Sequence, residues 1–338
     1  MGENITGLHH ITVIAGDPQE NLDFYVGVMG MRLVKKTVNQ DVPGTYHLFY
    51  ADGDAHAGTD LTFFPWPDMA PGQAGVGLTV EVALAVPAGS LGYWGERLTR
   101  HGVEVLGPTT RFGERLLTFA DPHALRLALV ETADARDFTP WAKSVVSERY
   151  QVRGLHGVRL LERNAAPTAD FLVNTLGFEE VGEGGDWRRF ALPGGRSGRV
   201  IDVKQQPTER QGTWGTGSVH HIAWRVLDDA TELKVRHRLQ SARRHPTPVI
   251  DRFWFKSVYF REPGGALFEI ATDGPGFRVD ERLDELGTSL VLPPWLEPNR
   301  SQIEASLPPL QAPEKVAASY ADRPLVFPEQ GSREVQST

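Results

Sequence analysis

The chain has 338 residues, 40% of them hydrophobic and 23% charged, with no cysteine and a formal net charge of −8. This suits one large or two medium globular domains, and it excludes disulfides, thiolate catalysis and cysteine-ligated zinc or iron–sulfur centres, so any metal must be held by nitrogen and oxygen. The negative balance without a basic stripe argues against nucleic acid, and no apolar run is long enough for a membrane span. The opening MGENITGLHH carries neither the positive region nor the apolar stretch of a secretory leader, so a cytoplasmic place is expected.

In chain order, one unit recurs four times. From Gly7, GLHHITVIAG reads as a strand; Asp17-Pro18 suits a helix start, Leu22, Tyr25 and Val26 recur at helical spacing, and Gly30 closes the helix before a strand over Met31 to Lys35. From Val76, VGLTVEVALAVPAGSLGYWGERLTRHGVEV repeats the strand and helix, and RLLTFADPHALRLALVE closes as a hairpin with Asp-Pro-His at its turn. From Gly154, GLHGVRLLERNAAPTADFLVNTLGFEEVG parallels the first unit, with Pro167, Phe171, Val173 and Gly177 in the corresponding parts. From Ser218, SVHHIAWRVLDDATELKVRHRLQSARRHPTPV leads to the hairpin SVYFREPGGALFEIATD, turned by Glu-Pro-Gly-Gly. The reading is four strand-helix-three-strand modules at about 1–70, 75–135, 150–210 and 215–275. Modules one and two form an N-terminal domain, 1–140, and modules three and four a C-terminal domain, 150–275. Residues 276–338 form a strap, over about 280–306, and a mobile tail beyond Leu310, where the apolar periodicity fades.

Two His-His pairs, His9-His10 and His220-His221, open the first strands of modules one and four. An isolated histidine at a strand start is more often a buried packing residue. However, Gly157 occupies the place of His10 in module three, so packing alone does not demand histidine there. Overlaying the closing hairpins puts Glu269 on Ala128, Thr62 and Asp202, so only module four offers a glutamate. A carboxylate between Phe268 and Ile270 is costly to bury unless it is paired with an arginine or coordinates a metal. Strand alternation places His221 with Ala223 and Arg225 on a mixed face, and His220 with Ile222 and Trp224 on a greasy one. By the same rule His10 lies with Thr12, and Glu269 with Leu267 and Ala271. His10, His221 and Glu269 are therefore the expected metal ligands, a set of two imidazoles and one carboxylate that suits iron(II) or manganese(II) and leaves coordination positions open. The fourth symmetric position holds Thr62, a poor ligand, which disfavours a four-ligand metal lyase.

Together, the four modules with HHIT, HHIAW, an arginine seven residues before a tyrosine, and PGGxxFE resemble the vicinal oxygen chelate superfamily, and within it the hydroquinone 1,2-dioxygenase-like ring-cleaving dioxygenases. The resemblance runs from about Gly7 to Leu307 and includes YHLFYAD, GSLGYW and RFGERLLTFADP. It implies an α+β fold in which four βαβββ modules form two cupped mixed β-sheet barrels. It also implies an iron(II)-dependent enzyme that uses dioxygen to open a para-dihydroxylated aromatic ring. By motif, His10, His221 and Glu269 match the iron ligands, and Thr12, His220, Arg252 and Tyr259 match residues around the bound ring, with His9 a further candidate. The odd spacing of Arg252 and Tyr259 requires a bend near Trp254 or a loop position for Arg252. Among the aromatic residues, Phe24, Tyr46, Phe112, Trp214, Trp224 and Trp254 are candidates for cavity walls or plain core. The competing readings are a glyoxalase-like lyase or isomerase and a metal-free small-molecule-binding resistance protein. A surviving Asp202 raises the question of a second, vestigial site. Oligomeric state is not legible.

Overall fold

The computed structural model describes residues 5–134 and 136–321. Module one is β1 (Gly7–Ala15), α1 (Pro18–Leu22), β2 (Arg32–Val38), β3 (Tyr46–Ala51) and β4 (Asp60–Pro65). Module two is β5 (Leu78–Pro87), α2 (Leu91–Arg100), β6 (Leu106–Arg111), β7 (Glu114–Ala120) and β8 (Arg126–Thr132). Module three is β9 (Gly154–Glu162), α3 (Ala165–Phe171), β10 (Glu179–Gly184), β11 (Trp187–Ala191) and β12 (Val200–Gln205). Module four is β13 (Val219–Val226), α4 (Asp229–Ser241), β14 (Ile250–Asp251), β15 (Lys256–Arg261) and β16 (Leu267–Thr272).

Local chemistry accounts for the helix starts. The Asp17 side chain accepts from the N–H groups of Gln19 and Glu20 at 2.8 and 2.9 Å, with Pro18 at the first helical position. The helix then widens into a π-helical turn over Asp23–Val28, and Gly30 turns out of it at φ +66°. In module three the start differs from the expectation: Asn164 is the cap, so Pro167 lies within the first turn. A π-helical turn over Leu172–Leu176 directs Leu172 and Leu176 inward and leaves Val173 39% exposed. The wider turn shifts the apolar stripe away from the ordinary period.

The strands form two eight-stranded sheets, ordered β14-β15-β16-β13-β1-β4-β3-β2 and β10-β11-β12-β9-β5-β8-β7-β6. Each is mixed: an antiparallel pair at the centre, β1 with β13 or β5 with β9, is flanked by parallel neighbours and outer hairpins. Modules one and four thus share one sheet, and modules two and three the other. The first and last quarters of the chain meet at β1 and β13.

Every central strand carries a one-residue bulge. The register skips His9 between Leu8 and His10, His220 between Val219 and His221, Val80 between Thr79 and Glu81, and His156 between Leu155 and Gly157. A bulge inserts an unpaired residue and breaks strict alternation. Leu8, Ile11 and Val13, and likewise Val219, Ile222 and Trp224, therefore all reach the core between sheet and helices. Both histidines of each pair are left on the cupped side. This corrects the expected position of His220 beside Ile222 and Trp224, because alternation does not hold across a bulge.

Beyond β16 the chain straps the first sheet. The buried Lys35 ammonium donates to Phe277 O at 3.1 Å and to Asp280 Oδ1 at 2.8 Å, and it pairs with Glu281. The tail expected beyond Leu310 is, through residue 321, ordered chain. α5 (Arg300–Ser306) is followed by α6 (Pro313–Ser319), whose Val316 and Ala317 are buried in the core. The two apolar residues suffice to dock one short helix against the π-helical turn of module one. The rest of the expected tail, 322–338, lies outside the described residues.

Candidate metal centre

β1, β13 and β16 bring three side chains to one point. His221 Nε2 lies 2.9 Å and His10 Nε2 3.4 Å from Glu269 Oε2, and the two Nε2 atoms are 3.2 Å apart. The register explains the convergence: Thr12 pairs with His221 across the central strands, and Ala223 with Glu269 along the parallel pair. All three residues are buried, Glu269 completely. Among the described residues this is the one group of three or more such ligands brought together.

The surroundings aim these donors. His9 Nδ1 sits 2.8 Å from His10 Nδ1, and His220 Nδ1 sits 2.8 Å from His221 Nδ1. In each pair the outer ring holds the inner one by its far nitrogen and leaves Nε2 directed at the common point. Ser257 donates to Glu269 Oε1 at 2.5 Å, whereas Oε2 has no hydrogen-bond partner. A buried carboxylate oxygen facing two imidazole nitrogens is a costly arrangement unless a cation completes it. Two nitrogens and one oxygen are also a donor set that first-row divalent metals accept. The residues fit a metal of that class.

Burial disfavours charge on the rings. It lowers His9 and His220 to about 3 and depresses His221 as well, although Glu269 opposes the shift. Burial also resists ionisation of Glu269, but the facing His10 and His221 outweigh it and hold the carboxyl well below its ordinary range. Neutral imidazole beside carboxylate is the state that binds metal. Tyr259 is buried beside Glu269, and both effects push its phenol upward, so it remains a donor.

A cavity of about 420 Å³ opens onto this point. Its lining includes His10, His220 and His221, together with Arg252, Tyr259, Phe64, Trp66 and Phe255. Arg252 lies in the loop between β14 and β15, where Phe253 adopts φ +72°, so the expected bend exists and brings the guanidinium 5.4 Å from the Tyr259 ring centroid. Thr12 Oγ1 is 2.7 Å from Thr62 Oγ1. His9 is buried behind His10 against Phe255 and does not line the cavity. Of the aromatic candidates, Trp254 lines the cavity and Trp214 stacks on His220 at 4.7 Å, while Trp224 is core. Phe24 borders a separate groove of about 820 Å³ against module two, Tyr46 donates to Pro308 O, and Phe112 lies under Arg189 in the other sheet.

Sequence reasoning missed His47, whose Nε2 is 2.9 Å from Thr62 Oγ1 and whose ring is buried beside Phe49 and Phe64. Burial and the neighbouring His10 and His221 depress it strongly. Its signal was present in YHLFYA, where Tyr46, Leu48 and Tyr50 alternate into the core and His47 and Phe49 face the cup.

The sequence matches the glyoxalase/bleomycin resistance protein/dioxygenase superfamily over residues 7–129 and 154–270. The chain belongs to that superfamily. It is 44% identical over 314 residues to the provisionally named ring-cleaving dioxygenase MhqO of Bacillus subtilis, covering 93% of this chain and 99% of that protein. It is 34% identical over 310 residues to the chlorohydroquinone/hydroquinone 1,2-dioxygenase of Sphingobium indicum, covering 88% and 94% of the two chains. A crystal structure of a provisionally assigned Bacillus subtilis dioxygenase superposes with a TM-score of 0.87 at 44% identity, over 91% of this chain and 98% of that one. Maize glyoxalase I, at 15% identity and TM-score 0.59 over 79% and 92% of the chains, shares the fold. The expected superfamily and its two cupped sheets are thus borne out.

Proposed function

We propose that this protein is a ring-cleaving dioxygenase that holds iron(II) on His10, His221 and Glu269 and opens a hydroquinone-type ring with dioxygen. The observation that carries the reading is the convergence of those three donors at the floor of a ring-sized cavity, with a threonine where a fourth ligand would stand. Iron(II) held there would supply the one-electron chemistry that dioxygen requires, and three protein ligands leave coordination positions for ring and gas. The relation to the hydroquinone 1,2-dioxygenase supports the same substrate class. A four-ligand lyase would need a carboxylate or amide at Thr62, whose hydroxyl is instead engaged with Thr12 and His47.

The remaining roles follow from local chemistry. Tyr259, kept protonated, donates to a ring oxygen, and Arg252 fixes the Tyr259 hydroxyl from the loop side. His220, held neutral by burial, lines the cavity as a hydrogen-bonding ring and not as a base, since a ring lowered to about 3 does not take the proton of a phenol. Thr12, buried on the central strand, turns its hydroxyl toward Thr62, and His9 orients His10. Phe64, Trp66 and Phe255 exclude water and bracket an aromatic ring. Protein purified without oxygen should contain stoichiometric iron and consume dioxygen with hydroquinones in preference to catechols. Iron-loaded protein that consumes none with either would end the dioxygenase reading.

A further inference from the structure

Asp41 is a carboxylate in the loop between β2 and β3; apart from Glu269, buried beneath the floor, it is the only acid among the described residues lining the cavity, and Arg252 is the only guanidinium there. The two are bound in a forked pair: Arg252 Nη1 donates to Asp41 Oδ1 at 3.2 Å, and Nη2 to Oδ2 at 3.0 Å. The loop is clamped a second time by Gln40, whose amide donates to the Arg252 carbonyl at 2.9 Å. Asn39 Oδ1 holds the loop's own shape by accepting from the N–H groups of Asp41 and Val42. The Arg252 side chain is 16% exposed, whereas that of Asp41 is 72% exposed. The guanidinium therefore belongs to the cavity, and the carboxylate caps it from the solvent side.

We infer that Asp41 is a specificity-determining residue that makes the cavity select uncharged hydroquinones over rings bearing an anionic substituent such as a carboxylate. The substrate class named here rests on the dioxygenase reading above. A bare guanidinium in an apolar cavity would be a bidentate trap for a carboxylated ring. With its fork filled by Asp41, the same group presents no net charge to the ligand. A carboxylate approaching it must displace Asp41 or meet like charge, and a site can reject a competitor by such repulsion as effectively as by lost contacts. A neutral ring hydroxyl meets neither obstacle. Asp41 touches no reacting atom, so it acts through Arg252.

The test is anaerobic calorimetric binding of 2,5-dihydroxybenzoate and of hydroquinone to the full-length metal-loaded protein and its D41N variant. D41N is nearly isosteric and sits on an exposed loop, and thermal unfolding with far-ultraviolet circular dichroism confirms that it folds. The expected result is about tenfold tighter binding of the carboxylated ring, most of it lost at high salt, with hydroquinone affinity changed less than about twofold. An unchanged affinity for 2,5-dihydroxybenzoate, or an equal change for both ligands, overturns the proposal, the latter because Asp41 then merely shapes the loop. D41E, which restores the charge, should restore the discrimination. Oxygen uptake read in parallel separates the two layers: failure of the parent to cleave any hydroquinone ends the dioxygenase reading, while the binding ratio decides the role of Asp41.

Discussion

The two sheets share one topology and the same pair of central bulges, yet one cup brings two imidazoles and a carboxylate together and the other is closed by ion pairs. By register, the positions of His10 and His221 in the first sheet correspond to Glu81 and Gly157 in the second, and those of Thr62 and Glu269 to Ala128 and Asp202. In the second cup the guanidiniums of Arg111, Arg159 and Arg189 meet Glu81, Glu114 and Asp202, three charges of each sign. Arg189 Nε is 2.7 Å from Asp202 Oδ1 and Arg111 Nη1 2.5 Å from Glu81 Oε1, and the space left is about 20 Å³. Asp202 thus keeps the place of a ligand, but its charge is matched by covalently attached cations. The fold supplies the cup, and the residues at four register positions decide whether it presents metal-type donors or is closed by guanidiniums.

Substitutions in either cup can break or sharpen this contrast. The largest expected effect comes from Glu269→Gln, which keeps the shape of the first cup but removes its anion. Iron content and oxygen uptake should fall by more than the roughly 100-fold typical of losing an outer partner. A variant with full iron and full activity would refute the ligand assignment. His9→Phe should cost about 10–100-fold in iron affinity, measured by competition with a chelator, because His10 loses the ring that aims it while the cavity wall stays intact. An unchanged affinity would remove His9 from the site.

The converse experiment combines Glu81→His with Gly157→His, beside the Asp202 that already stands at the Glu269 position. A Cβ at Gly157 would come 2.5 Å from Val200 Cγ2 and 2.9 Å from Val200 O. No iron uptake is expected, with destabilisation of about 1–3 kcal/mol by denaturant unfolding; a second bound iron would show that four positions suffice. Asp202→Asn should cost about 1–3 kcal/mol by leaving Arg159 and Arg189 short of charge, and it should leave oxygen uptake unaltered. Lost activity there would mean that the second cup is not merely structural.

The smallest effect concerns the seam between the sheets, where burial and the neighbouring Glu262 push the Glu162 carboxyl up to about 9. Because its pKa is raised in the folded state, its contribution to stability is complete below the ordinary carboxyl value and is lost as pH rises through about 9. Glu162→Gln retains a donor at every pH. The unfolding free energies of variant and parent, from urea titration, should therefore coincide near pH 5 and separate by about 1 kcal/mol or more near pH 9. A separation independent of pH would show that the Glu162 proton is not the cause.

Much of this protein was legible in its residues. The repeat of GLHHITV against GLHGVRL and of the two closing hairpins disclosed four modules, and the uneven distribution of His10, His221 and Glu269 among those repeats singled out the ligand candidates. Arg252 was legible as a loop residue from its odd spacing to Tyr259. Other features were not. His220 was assigned to the greasy face because alternation was assumed to continue through a bulge that nothing in HHIAW announces. His47 was passed over because a single histidine among aromatic residues in one strand reads as core. Asp41 lay in a turn and had no partner in sequence.

The amino-acid sequence by itself determined the modules, their order and the identity of three potential ligands, since periodicity and repeat comparison depend only on neighbours along the chain. Tertiary structure alone decided that module one pairs with module four, that two bulges turn both members of each histidine pair into the cup, and that Asp41 closes on Arg252. Those outcomes depend on hydrogen-bond register and contact between segments some two hundred residues apart, and a register is a property of two strands together, carried by neither one alone.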